Sequence, residues 1–221
     1  RPGYYHLGIP LSGGMDRFAL RAANMLVGND EGAACLEAVF LGPVIEFTED
    51  ATVAVTGATL PIKVDGDYKE PWTSFTVKAG QTLSFEFLKA GARIYIAISG
   101  GITTPIALGS RSTYPIGALG GIEGRAIKAG DELPTGGSQG PGDGRSVPDA
   151  LRRTPENPAR LRVLPGLYWH RLTEAAGAGS LATTSRGAGT GAPTGAALTC
   201  RGALPSRSQG GRSSDRGRAT A

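Results

Sequence analysis

Ser12, Asp16 and Asn24 fall in one short stretch whose residue types could handle a small polar substrate, and Arg111, Ser112 and Thr113 form a second such group. Ser12 is followed by Gly13 and Gly14, so a ligand could approach the backbone closely there. As a nucleophile Ser12 would need a general base at hand. The only histidines, His6 and His170, show no triad spacing. Asp16 could bind a substrate group or move a proton, and it could equally cap a helix. Ser12 and Asp16 are therefore candidates, and no catalytic residue is identified outright. Arg111 stands between Ser110 and the pair Ser112–Thr113. A guanidinium fork with adjacent hydroxyls suits a carboxylate or a phosphate, and bracing of loop carbonyls is the alternative. Asn24 could contact the same ligand or serve as an internal hydrogen-bonding residue. Arg93 enters an apolar strand and is expected to pair with a carboxylate. Tyr4, Tyr5 and His6 would line a pocket or pack against the body. Cys35 and Cys200 lie far apart with no C-x-x-C, so no metal site is expected. Gly117–Arg125 is only loosely like a phosphate cradle, because no Lys follows its last Gly.

These residues need elements to hold them. Asp16 is a suitable N-cap, since its carboxylate can accept the free N–H groups of a first helical turn. Phe18, Ala19, Ala22, Met25 and Leu26 recur at helical spacing and predict one buried face. Gly28 supplies the stop. Strands are expected at Cys35–Phe40, Val44–Phe47, Thr52–Thr56, Ile62–Val64, Phe75–Val77, Leu83–Leu88 and Arg93–Ser99. Asp65-Gly66 after Ile62–Val64 is a strong hairpin signal. Short strands with Gly-bearing turns argue for a mainly β barrel or sandwich rather than βαβ units. Residues 100–134 are loop-rich, with Lys128–Asp131 as a turn before a last short strand. Residues 135–159 read as a Gly/Pro-rich linker. Arg160–Pro165 would be a further strand, the start of a second subdomain over 160–174.

Charge is uneven along the chain. Residues 1–170 carry 16 Lys+Arg and 17 Asp+Glu, whereas residues 171–221 carry seven Arg and two acids. The net charge of +4 therefore belongs to the tail, and no nucleic-acid partner is inferred from it. No apolar run reaches the length of a membrane span. In residues 175–221 the large apolar residues are Leu181, Leu198 and Leu204 alone, too few to offset the entropy of ordering. That segment is expected to be a disordered low-complexity tail. Its Gly, Ala, Ser, Thr and Arg vocabulary is also what GC-rich coding DNA gives when read out of frame.

The stretch Gly8-Ile-Pro-Leu-Ser-Gly-Gly-Met-Asp16 running into Arg17–Asn29 resembles the opening motif of the biotin-dependent carboxyltransferase family. That family includes the C-type subunit of 5-oxoprolinase, allophanate hydrolase subunit 2 and the carboxyltransferase part of urea amidolyase. Further matching pieces follow in order: Ala34–Glu37, Leu41–Pro43, Ala54–Ala58, Gly91–Gly101, Leu108–Thr113, Gly124–Asp131 and Val163–Gly166. The likeness covers about residues 1–174. Gly14 departs from the family's usual Pro. Arg1 lies in mid-motif, so the chain is expected to be a fragment lacking a first strand. The resemblance implies a cyclophilin-like β-barrel over 1–134 with one short helix near the N-terminus and an incomplete second subdomain. It also implies a cytoplasmic bacterial protein that works with a B-type homologue and with a lactam-utilisation (LamB/YcsF-type) A component. The reaction implied is ATP-dependent opening of 5-oxoproline to glutamate, with ATP used by the complex. Two alternatives accompany it. One is the carboxyltransferase component of a urea carboxylase/allophanate hydrolase system, with biotin as a visiting substrate. The other is a non-enzymatic regulator of the kinase-inhibitor-antagonist type.

Overall fold

The structure, a computed structural model, describes residues 1–137, 140–153, 159–162, 164, 167, 169–173 and 197–200. It divides into two units, Arg1–Glu156 and Asn157–Ala221. Among its described residues the first contains one α-helix, α1 (Arg17–Leu26), and eight strands. These are β1 (Leu36–Val39), β2 (Ile45–Glu46), β3 (Ala51–Thr59), β4 (Ile62–Val64), β5 (Asp67–Lys69), β6 (Ser74–Val77), β7 (Thr82–Phe85) and β8 (Ala90–Ile98). They form two antiparallel sheets, ordered β1-β8-β3-β6 and β2-β7-β4-β5. The mainly β expectation holds. Among the described strands no ladder joins the two sheets, so the architecture is two sheets over a shared core rather than a closed barrel.

Strand periodicity explains the layers. Successive side chains of a strand point to opposite faces. Val53 and Val55 of β3, with Ile94, Ile96 and Ile98 of β8, face the second sheet and meet Ile62, Val64 and Leu83. Ala54, Tyr95 and Ala97 face the other way and receive Ala19, Ala23, Leu26 and Val27 at the helix. The central strands are thus covered on both faces, which is why they read as near-continuous apolar runs. Small residues on both partners, Ala19 and Ala23 against Ala54 and Ala97, let the helix lie close to the sheet. Thr56 Oγ1 donates to the Ala19 carbonyl at 2.7 Å across that contact.

Three expectations need correction. Met25 is 56% exposed, while Asn24, one residue earlier, is fully buried; the helix is turned so that Ala23, Asn24, Leu26 and Val27 face inward. β3 does not end at Gly57 but passes it through a bulge to Thr59. The last short strand after the Lys128–Asp131 turn is reduced to one bridge between Ile102 and Thr135. The hairpin signal is realised: Asp65 and Gly66 both have positive φ and join β4 to β5.

The stretch expected as a linker is, in its described part, a strap on the open edge of β6. Ser74 Oγ donates to the Gly142 carbonyl at 2.7 Å, and Ser74 N–H to the Arg145 carbonyl at 2.8 Å. Thr76 N–H donates to Asp143, and Val147 N–H to the Trp72 carbonyl at 3.0 Å. Covering a sheet edge removes a row of unpaired backbone groups that would otherwise invite another strand. Beyond the strap, Arg153 lies over the Phe18 ring at 4.4 Å, and Phe18 meets Trp72 with ring centroids 6.0 Å apart.

In the second unit β9 (Ala159–Arg162) pairs antiparallel with β10 (Ala197–Cys200). The tail anticipated over 175–221 lies outside the described residues apart from β10, as does most of the segment 160–174 beyond β9 and residues 169–173. Among the described residues no helix is long and apolar enough to cross a membrane.

Gly57 and Gly66 share a positive φ but not their surroundings. A Cβ at Gly57 would strike the Arg93 carbonyl oxygen of the neighbouring strand, whereas one at Gly66 would meet nothing within 4 Å. Gly57→Ala should therefore cost about 2–4 kcal/mol, and Gly66→Ala only the left-handed strain of about 1 kcal/mol, in urea unfolding. Equal losses would show that the bulge can open to admit a side chain.

Candidate functional site

The opening loop is fixed by the residues that follow it and by the sheet beneath it. Asp16 occupies the N-cap of α1, where its Oδ1 accepts from Phe18 N–H at 3.0 Å and Ala19 N–H at 3.1 Å. Asp16 N–H in turn donates to the Tyr95 hydroxyl at 2.7 Å. That hydroxyl donates to Glu37 Oε2 at 2.7 Å, and Met15 N–H reaches the same oxygen at 2.9 Å. Arg93 Nη1 holds Glu37 Oε1 at 2.5 Å. Burial pushes the Tyr95 phenol well above its ordinary range, so it serves as a neutral donor and acceptor. Glu37 stands directly opposite Tyr95 in the β1–β8 pair, and Arg93, opposite Val39, is its diagonal neighbour, which places all three near the helix start.

The loop itself is strained. Ser12 has φ 59 and Gly13 has φ 97. Among the described residues, Ser12 Oγ is the buried side-chain polar atom without a hydrogen-bond partner. Upstream, the Arg1 nitrogen donates to the Leu11 carbonyl at 2.7 Å. The Arg1 guanidinium reaches the Ala107 carbonyl at 3.2 Å, the Ser112 carbonyl and the Leu119 carbonyl at 3.4 Å. Arg1 thereby ties the Ser12 loop to the loops around Ser112.

The second group of candidates is engaged locally. Arg111 Nη1 donates to the Thr104 carbonyl, which is the loop-bracing arrangement. Ser112 Oγ lies 2.8 Å from Ser110 Oγ and accepts from Arg1 Nη1 at 3.3 Å. Thr113 packs where Gly121 has no side chain, since a Cβ there would meet its Oγ1. Asn24 takes the internal hydrogen-bonding role of the two expected for it. It is fully buried, donating through Nδ2 to the Ala33 carbonyl at 2.9 Å and accepting from Asn29 Nδ2 at 3.1 Å. It braces the helix exit. Tyr5 is 64% exposed and His6 is exposed, so that patch contributes little to the core.

Ser12 and Asp16 are legible in the motif, whereas Glu37 and Tyr95, which pin Met15 and Asp16, are not. The available signal was a lone carboxylate in β1 and a lone Arg in β8, which could pair on the diagonal of neighbouring strands. Cys35 is no nucleophile: burial, with the neighbouring Glu37 carboxylate, pushes its thiol up to about 12. The glycines of 117–125 do not form a phosphate cradle. Cβ atoms at Gly120, Gly121 and Gly124 would strike Ser112, Thr113 and Ala118, so these positions are filled by the chain itself. The described residues of this loop therefore do not fit ATP. Among the described residues no cluster of three or more His, Cys, Asp or Glu could hold a metal ion.

Comparison with known proteins places this arrangement. The family described as carboxyltransferase domain, subdomain A and B, matches residues 7–213. The C-type subunit of Escherichia coli 5-oxoprolinase is 38% identical over 178 residues, which is 79% of this chain and 55% of that protein. Urea amidolyase of Saccharomyces cerevisiae is 42% identical over 133 residues, 60% of this chain and 7% of that protein. The chain thus spans about half of the bacterial relative and a small part of the yeast one. Among solved structures, TTHA0988 superimposes with a TM-score of 0.68 at 35% identity, covering 76% of this chain and 60% of that one. The Kluyveromyces lactis urea amidolyase gives 0.66 at 34% identity, covering 71% and 10%.

Tyr95→Phe leaves the Asp16 N–H without its acceptor and should cost about 1–3 kcal/mol in urea unfolding. A loss below about 0.5 kcal/mol would mean that the loop is not held through this hydroxyl. A second expectation concerns acid. Arg125 grips Asp131 through two bonds of 2.7 and 2.9 Å and, with Lys128 N–H, holds its carboxyl down at about 2 against an ordinary 3.8. A depressed folded value stabilises above the unfolded one and is lost as pH falls through the folded one. Stability should therefore drop between about pH 4 and pH 2, and Asp131→Asn should flatten that limb in denaturation series run at stepped pH.

Proposed function

The chain belongs to the carboxyltransferase-domain family, subdomains A and B, and on that premise we propose that it is the C-type component of an ATP-dependent 5-oxoprolinase. The observation that carries this reading is the extent of the match to the E. coli C-type protein, which runs over 79% of this chain against 60% for the yeast urea amidolyase. In this reading the chain works with a B-type homologue and a LamB/YcsF-type A component, and the complex opens 5-oxoproline to glutamate. The Gly117–Arg125 loop does not fit ATP, so nucleotide chemistry is assigned to the partners and no step is routed through this chain. Ser112, Thr113 and the unengaged donors of Arg111 are the anion-holding group, suited to the substrate carboxylate. The Ser12–Asp16 loop, joined to Ser112 through Arg1, is the other wall of the site.

One observation favours a second reading. Identity is higher, at 42%, over the stretch shared with urea amidolyase. A carboxyltransferase acting on urea with biotin as a visiting substrate uses the same loop and the same anion group.

The deciding experiment co-expresses the chain with its two partner proteins and measures glutamate released from 5-oxoproline with ATP. Release that requires this chain is the expected result. A stable complex without turnover on 5-oxoproline, but with biotin-dependent carboxylation of urea, transfers the assignment to the second reading. Binding of the B-type partner with neither reaction points to a regulatory protein.

A further inference from the structure

We infer that a groove beside the β4–β5 hairpin is a binding site for a small organic phosphate monoester, with Lys69 and Lys89 as its charged contacts. The inference does not rest on the proposed function, because the groove shares no residue with the Ser12 loop or with the Arg111 group.

Backbone pairing shapes the groove. The Asp65-Gly66 turn brings β5 back along β4, with Lys69 opposite Ile62 and Tyr68 opposite Lys63. On the other side of β4 runs β7, with Phe85 opposite the same Ile62. The chain beyond β7 is held to the β3–β4 connection. Glu86 N–H donates to the Pro61 carbonyl at 3.1 Å, and Lys89 N–H to the Thr59 carbonyl at 2.8 Å. Lys69 and Lys89 thus come from separate elements to line one cavity of about 340 Å³. That volume lies at the lower end of those that hold small molecules.

Charge sets this cavity apart. Three of the five lysines of the chain, Lys63, Lys69 and Lys89, gather around it. Glu86 is the acidic residue of the lining, and its carboxylate is already engaged. Lys63 Nζ holds Glu86 Oε1 at 2.5 Å, and the Tyr68 hydroxyl donates to the same oxygen at 2.8 Å. Lys63 also lies over the Tyr68 ring at 4.7 Å. Asp67 and Glu70 flank the hairpin strand in sequence, but they are exposed and do not line the groove. Among the described residues neither Lys69 nor Lys89 makes an ion pair through its ammonium group. Two like charges that share a cavity without a counter-ion repel each other, and an anion from outside relieves that repulsion.

The walls narrow the class of anion. Lysine meets an anion as a compact point charge, which suits phosphate, whereas the arginine fork is the better match for a carboxylate. Two such charges match one doubly charged group, and a phosphate monoester carries nearly two negative charges at neutral pH. Pro61, Pro71 and the Tyr68 ring give the remaining wall an apolar surface. That surface suits the organic part of an ester.

The test titrates the isotope-labelled full chain, followed by amide NMR, with phenyl phosphate, inorganic phosphate, succinate and phenol in turn. Phenyl phosphate should move the Tyr68, Lys69, Glu86 and Lys89 signals saturably and bind most tightly of the four. Lys69→Gln and Lys89→Gln should each weaken it about tenfold. Lys78→Gln removes the same charge from the Asp50 pair outside the groove and should leave binding unchanged. The two groove variants should keep or raise Tm, since they relieve repulsion, whereas loss of a structural lysine would lower it. Inorganic phosphate binding as tightly as phenyl phosphate, or succinate or phenol binding more tightly, overturns the ester as the ligand. No saturable response to phenyl phosphate, unchanged binding in both groove variants, or equal weakening by Lys78→Gln overturns the site.

Discussion

The Tyr95 hydroxyl is the point on which the architecture of this protein turns. It is buried between helix and sheet, where an unpaired hydroxyl would be costly, and it meets two obligations at once. It donates to Glu37 from β1 and accepts from Asp16 N–H at the start of α1. A strand, its neighbour, the opening loop and the helix cap are thereby joined through one oxygen. The same residue fixes the register of β8. A slip of one position would turn Tyr95 into the apolar core and Ile94 and Ile96 toward the helix.

Glycine does most of the remaining positioning, and it does so by close approach rather than by flexibility. Gly57 lets β3 pass the Arg93 carbonyl, and Gly120, Gly121 and Gly124 let the 112–125 loops stack on one another. Gly140 sits where a Cβ would come 2.7 Å from the Thr52 side chain, so the strap can lie on the sheet. A chain with 35 glycines can therefore be well packed where it looks loose. The stacking also excludes a simple phosphate-loop role for 117–125, because the space that the absent side chains leave is already occupied.

The candidate residues lie at the boundary between regular structure and loop. Two apolar layers hold the strands, and Ser12 Oγ, the buried side-chain polar atom without a partner among the described residues, lies in the loop that precedes α1. This is the division expected of a scaffold that carries its function on loops held by rigid elements. It is consistent with a family whose members, named for 5-oxoprolinase and for urea amidolyase, share this domain while differing in the substrates those names denote.

Much was determined by sequence alone. Alternation and turn chemistry located seven of the strands, the Asp65-Gly66 hairpin and the helix with its Asp16 cap, because those signals depend on residues near one another in the chain. The motif Gly8–Asp16 likewise marked the candidate loop. Tertiary structure decided the rest, since it depends on groups far apart in sequence. Asn24 became a buried brace because Ala33 and Asn29 close over it, and Met25 turned outward with it. Residues 140–147 became a strap because β6 offered an unpaired edge. Arg111 was drawn to the Thr104 carbonyl, a partner that no local pattern predicts. Glu37 and Tyr95 acquired their role only when β1 and β8 paired, because a side chain's partners across a sheet are set by register and not by its own neighbours in the chain.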